Sequence, residues 1–236
     1  MQASTTRVRL LSKLIPHIRE GESTIENLAT RTGIGPHLVS ELISWLTSIE
    51  VATADDIRVY FEETSRLKVA LVALEIGADR EEVARGLSWL DFENLSAEVL
   101  ARNGYEARRN LRIGRRRLQI DVLGSRGELG VAMDCKHWHK SGGVRALGRV
   151  ATLQVNRCVL LARAMPTDRY GLSAIVPAVL TLHANEINSV GRVPVVPVAS
   201  LEDFLQDLPG NLEKVKVIAA NPALRCLGTI PKKTAA

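Results

Sequence analysis

The chain has 236 residues, 46% of them apolar, and a formal net charge of +5. That is enough chain and apolar content for one large domain or two small ones, and it excludes a long disordered tract. The longest apolar runs, around Val69–Ile76 and Cys158–Ala162, are too short to span a bilayer, and the first residues lack a signal-peptide pattern, so a soluble cytoplasmic protein with no membrane partner is expected.

The three cysteines, Cys135, Cys158 and Cys226, are odd in number and scattered, which argues against a disulfide framework or a zinc site built on CxxC pairs. The charge is unevenly spread. Residues 1–88 hold ten Lys and Arg against thirteen Asp and Glu, and residues 89–236 hold twenty-one against thirteen. A basic second part suits contact with a polyanion.

Taken in chain order, Thr5–Arg19 predicts a helix with Val8, Leu11, Leu14, Ile15 and Ile18 along one side. Ser23 and Glu26 have capping-box spacing, and Ile25, Leu28 and Ala29 follow at helical intervals. Gly33-Ile34-Gly35 reads as a turn, Pro36 as a first helical position, and Val39, Leu42, Ile43 and Leu46 as the apolar face of a third helix. Two short β-like runs lie in Val51–Phe61 around Ala54-Asp55-Asp56. This order predicts a winged helix-turn-helix-like domain over residues 1–61. The outward positions of the third helix would be His37, Ser40, Glu41, Ser44 and Thr47, none of them Lys or Arg. Phosphate and guanine contacts usually need a cation there, so a protein contact or dimerisation stands beside DNA reading as its role. Glu62–Ile76 predicts a helix with Leu67, Ala70, Leu71 and Leu74 inward, closed by Gly77, and Asp79 and Glu82 open another carrying Val83 and Leu87. Residues 62–88 are thus a helical connector.

From Leu90 the pattern changes. LDFENLSAEVLARNGYEA predicts a helix closed by Gly104, and Tyr105–Ile113 a strand. Arg117–Gly124 and Glu128–Trp138 are β runs joined at Ser125-Arg126-Gly127, hence a hairpin. Val144–Ala164 predicts a long helix, Ser173–Leu182 and Arg192–Ala199 further strands, and Leu201–Leu208 a helix. The class is α/β, a mixed central sheet flanked by helices over residues 89–210, with residues 211–236 as a C-terminal tail.

GVAMDCKHWHK, residues 130–140, begins as a buried strand and then carries an acid and a base. Alternation sets Asp134 and Lys136 on one face and Met133, Cys135 and His137 on the other. Asp121, flanked by Ile120 and Val122 on the partner strand, joins the Asp134–Lys136 face if the register allows. Two carboxylates can hold a hard divalent cation, and an ammonium beside them can orient water and offset developing negative charge, a set that suits phosphodiester hydrolysis. A cross-strand Asp–Lys pair alone is more often a surface salt bridge. Just upstream, Arg108, Arg109, Arg112, Arg115, Arg116 and Arg117 form the densest basic run, an electrostatic footprint for nucleic acid.

Three blocks in order, FENLSAEVLARNGYEA, LQIDVLG and VAMDCKHW, resemble the PD-(D/E)xK, restriction-endonuclease-like nuclease superfamily, nearest to its Mrr-like and archaeal Holliday-junction-resolvase-like members. The resemblance covers roughly residues 90–208, with VPVVPVASLEDFL similar to the family's last strand and helix. It implies that Asp121 is the central metal ligand, Asp134 the second acid, Lys136 the catalytic lysine, the Cys135 carbonyl an additional ligand, and Glu93 the acid of the first helix, with Mg²⁺ or Mn²⁺ as cofactor. Glu98 is the rival to Glu93. It lies about 140° further round the helix, so the two do not easily serve one site, and Glu93 is preferred. The resemblance also offers Gln154, in the helix after the Lys strand, although a solvated position is expected for it. No Pro precedes Asp121. His137 and His139 read as polar rim more readily than as ligands, and Trp138 as a packing residue.

The expectation is a Mg²⁺-dependent DNA endonuclease acting on structured or modified DNA in repair, recombination or restriction. A homodimer and a protein partner for the N-terminal domain accompany it. The alternative is a non-catalytic nucleic-acid-binding regulator or partner subunit that retains the nuclease fold.

Overall fold

A computed structural model describes residues 2–55, 57–113, 118–138, 143–164, 171–184 and 186–220. The chain divides into two compact units, residues 1–95 and 96–236.

In the first unit, helix α1 (Gln2–Leu14) runs into a 3-10 turn (Ile15–His17) as Pro16 enters, and Leu11, Leu14, Ile15 and Ile18 are buried. Each such aliphatic side chain contributes roughly 1.5–3 kcal/mol by leaving water. Strand β1 (Gly21–Thr24) follows, then α2 (Ile25–Thr32), α3 (Pro36–Ser48), β2 (Thr53–Ala54) and β3 (Arg58–Phe61). The strands form an antiparallel sheet in the order β1-β3-β2. The cap of α2 is Thr24, whose hydroxyl accepts the Asn27 N–H at 3.2 Å, and not Ser23, which pairs with Val59 in the sheet. Gly33 takes the left-handed conformation that ends α2, and Pro36 starts α3. Val39, Leu42, Ile43 and Leu46 are buried as expected; His37, Ser40, Glu41 and Ser44 are exposed and Thr47 half-buried. Helix α4 (Ser65–Glu75) buries Val69, Ala70 and Ala73, so its inward face is shifted: Leu67, Leu71 and Leu74 are only half-buried. Small residues let this helix sit close to its neighbours. Asp79 then caps α5 (Arg80–Arg85) by accepting the Glu82 N–H at 2.8 Å. The unit boundary falls inside α6 (Trp89–Arg102).

The second unit is built on a sheet whose order among the described residues is β4-β5-β6-β7-β9-β8. Strands β4 (Glu106–Ile113), β5 (Leu118–Arg126) and β6 (Leu129–Lys136) form an antiparallel meander. Helix α7 (Val144–Ala164) then carries the chain back so that β7 (Ala174–Thr181) lies parallel to β6, and β9 (Val193–Pro197) lies parallel to β7, with β8 (Ser189–Val190) at the edge. The sheet is therefore mixed and flanked by helices. Leu201–Asp207 forms α8. Within the segment expected as a tail, Ile218–Ala219 forms β10 and pairs antiparallel with the start of β7.

The two faces of the sheet are packed differently. Cys158, Leu161 and Ala162 of α7 meet Leu123, Ala132 and Ile175 on one face. On the other, the C-terminal half of α6 approaches so closely that a Cβ at Gly124 would stand 2.6 Å from Leu100 Cδ2. Gly124 is the residue that lets helix and strand touch.

Candidate active site

Strand β6 delivers two charged side chains to one face by simple alternation. Asp134 is 2% exposed, and the Lys136 Nζ lies 2.7 Å from its Oδ2. Between them Cys135 turns the other way, its Sγ 3.9 Å from Ser96 Oγ on α6. Asp121 reaches the same spot from β5, but not through regular pairing. The β5–β6 ladder runs up to Val122 opposite Met133, and one step further the Asp121 Oδ2 accepts the Cys135 N–H at 2.9 Å. A side chain thus stands where a main-chain acceptor would be.

The ladder is interrupted on the other side of Asp121 as well. Arg109 pairs with Val122 and Leu111 with Ile120, leaving Asn110 opposite Asp121 with a left-handed φ of 53°. Asn tolerates that conformation better than most residues, and its Oδ1 accepts the Gln119 amide at 2.6 Å. Ile120 and Leu123, three residues apart, both join the cluster beneath α7, whereas strict alternation would part them. The sheet opens locally at Asp121.

Helix α7 supplies two groups from outside the strands. The Arg157 Nη1 lies 2.5 Å from Asp134 Oδ1 and 3.3 Å from Gln154 Oε1. Gln154 is fully buried and donates to the Ala132 carbonyl on β6 at 2.8 Å, so it is not the solvated residue expected. Its neighbours on the strand, not its place in the helix pattern, bury it. Arg157 was not singled out from sequence. The only signal for it is its spacing of three from Gln154, which brings both to one side of the helix.

Burial pushes the Asp121 carboxyl above its ordinary value; the Cys135 N–H pulls the other way, Asp134 pushes it further up, and Lys136 and Arg157 lower it. Asp134 lies near enough to raise Asp121, and a cation beside both would offset that repulsion. No group of three or more His, Cys, Asp or Glu capable of holding a metal is present among the described residues. The donors at hand are the hard oxygens of Asp121 and Asp134, which fit a magnesium-like ion that keeps part of its water shell.

The remaining sequence expectations are placed as follows. Glu93 is fully buried on α6, three residues before Ser96 and hence on the same side of the helix. Glu98 pairs with Arg102 at 3.2 Å, with both side chains more than 40% exposed. Arg108, Arg109 and Arg112 are exposed on the edge strand β4, Arg108 bonded to Glu106. Arg115, Arg116, Arg117 and His139 lie outside the described residues. Trp138 packs against the Leu147 and Val179 cluster. Buried Cys158 has its thiol pushed up to about 12, so it is inert at neutral pH.

A mixed sheet with helices on both sides, carrying an acid within β5 and an Asp-x-Lys on β6, has the architecture of a restriction-endonuclease-like domain of the PD-(D/E)xK superfamily, a nuclease class. Residues 84–161 match the Mrr catalytic-domain family, described as a restriction endonuclease, and that stretch contains every residue of the cluster. Among solved structures, the chain is similar to protein VC1899 from Vibrio cholerae at 14% identity and a TM-score of 0.44, over 90% of this chain and 52% of that one. The chain thus spans about half the length of that protein. No curated protein matches it. No described helix is long and apolar enough to cross a membrane.

Proposed function

We propose that this chain is a metal-dependent DNA endonuclease. The observation that carries the reading is the convergence of Asp121, Asp134 and Lys136 at the opening of the sheet. Asp121 and Asp134, with the Cys135 carbonyl, would hold Mg²⁺ or Mn²⁺. When bound, the ion supplies Lewis-acid stabilisation of the phosphodiester oxygens and of the leaving group.

Lys136 has the complementary work. Its ammonium is held beside Asp134 and is partly solvent-accessible, so it can hydrogen-bond the attacking water and then the negative charge that grows on the phosphate. Arg109 and Arg112 on β4 would bind the DNA backbone together with Arg108, and Arg115, Arg116 and Arg117 continue the basic run in the sequence. The N-terminal unit has the element order of a winged helix, and α3 exposes His37, Ser40, Glu41 and Ser44. We assign that face to a protein partner or a second copy of the chain rather than to DNA reading. Structured or modified DNA is the proposed substrate.

The test is nicking of supercoiled plasmid by the full chain with Mg²⁺, with Mn²⁺ and in EDTA. Cleavage that survives EDTA removes the metal from the mechanism. Metal-loaded protein that binds DNA and never cuts it supports the non-catalytic alternative.

A further inference from the structure

Asp134 has a cation on each side. Lys136 sits at Oδ2 and Arg157 at Oδ1, at 2.7 and 2.5 Å. Both are about three-quarters buried, whereas Asp134 is almost fully so. The guanidinium is itself fixed. Gln154 accepts from it at 3.3 Å and is anchored through its own amide to the Ala132 carbonyl. Asp121, Asp134, Lys136 and Arg157 together carry no net charge. A dication entering this neutral group raises it to a charge of two, and a phosphodiester lowers it again by one.

We propose that Arg157 is a positioning residue that occupies Asp134 Oδ1 in the metal-free protein and must leave that oxygen for a divalent ion to bind. The inference rests on the reading of Asp134 as a metal ligand. Its physical basis is competition. A buried carboxylate cannot stay unpaired at low cost, so a resident cation keeps it paired and oriented until another arrives. The same competition lowers affinity for the ion alone. It also makes ion and DNA phosphate help each other, because the phosphate offers the displaced guanidinium a new partner. The site would then load fully only on DNA.

The experiment is calorimetric titration of Mn²⁺ into the full chain without DNA, for wild type, Arg157→Gln and Arg157→Lys. Removing the competing charge should tighten Mn²⁺ binding about tenfold in Arg157→Gln, a coupling of ordinary size, while Arg157→Lys stays near wild type. Equal or weaker affinity in Arg157→Gln overturns the proposal. Should that variant fail to fold, wild type alone decides. The guanidinium N–H resonances of Arg157 should move towards free-arginine positions in step with Mg²⁺ saturation, and resonances unmoved at saturation overturn it. Wild type and Arg157→Gln that both bind no divalent ion sink this inference and the metal-dependent reading together, whereas unchanged affinity in Arg157→Gln sinks this inference alone.

Discussion

The Lys136 ammonium stands 2.7 Å from Asp134 Oδ2, two residues away on the same strand. The two-residue period of a strand puts them together, and the near-complete burial of Asp134 separates this pair from the many surface ion pairs that contribute little. Lys136→Ala is expected to lower plasmid cleavage at least about a hundredfold, the size of effect seen when a group that stabilises transition-state charge is removed. DNA affinity at fixed salt should change little, because DNA binding is assigned to the exposed arginines of β4. Wild-type cleavage by this variant takes Lys136 out of the mechanism.

Asp121→Asn should abolish cleavage and yet stabilise the metal-free protein at neutral pH. The folded environment raises the Asp121 carboxyl, chiefly by burial. Its ionised form is therefore disfavoured by folding, and the stability it lends is full below the ordinary value of 3.8 and lost as pH rises through its higher folded value. Thermal melts in EDTA should show the variant above wild type near neutrality, with the gap narrowing in acid. Added Mg²⁺ should then raise the melting temperature of wild type more than that of the variant. A variant less stable than wild type in EDTA at neutral pH contradicts this account.

Glu93→Gln should impair cleavage more than Glu98→Gln. Glu93 is fully buried one turn before Ser96, and Glu98 is spent on an exposed pair with Arg102. Exposed helix pairs of this kind contribute about 0.3–0.5 kcal/mol, so the Glu98 variant should also melt close to wild type. Cleavage rates in the opposite order would exchange the two roles.

Arg109→Glu combined with Arg112→Glu on β4 should weaken binding to any duplex and flatten the salt dependence of its affinity. Each lost phosphate contact removes about one unit of slope. Introducing Glu at Ser40 and Ser44 on α3 should leave the slope unchanged. If the α3 variant, and not the β4 variant, flattens it, α3 is the DNA-reading element.

Local rules sufficed for much of this protein. The Asp134–Lys136 pair follows from strand alternation, and α7 spans the expected Val144–Ala164 because an uninterrupted amphipathic pattern needs no outside partner to declare a helix. The hairpin of β5 and β6 turns where Gly127 allows a left-handed φ of 58°. Block order and spacing were enough to resemble a nuclease. Tertiary structure alone decided the rest. Strand β1 exists because Gly21–Thr24 pairs with β3, some 37 residues on, and that pairing moved the helix cap from Ser23 to Thr24. Strict alternation fails at Asp121 because Asn110 on one neighbour and the Cys135 N–H on the other break the ladder there. Arg157 and Gln154 look like ordinary polar helix residues. They belong to the site only because α7 crosses over β6, which brings a guanidinium to an acid 23 residues away in the chain. Sequence period reports which side of its own element a residue faces; which charge waits on that side is set by packing between elements.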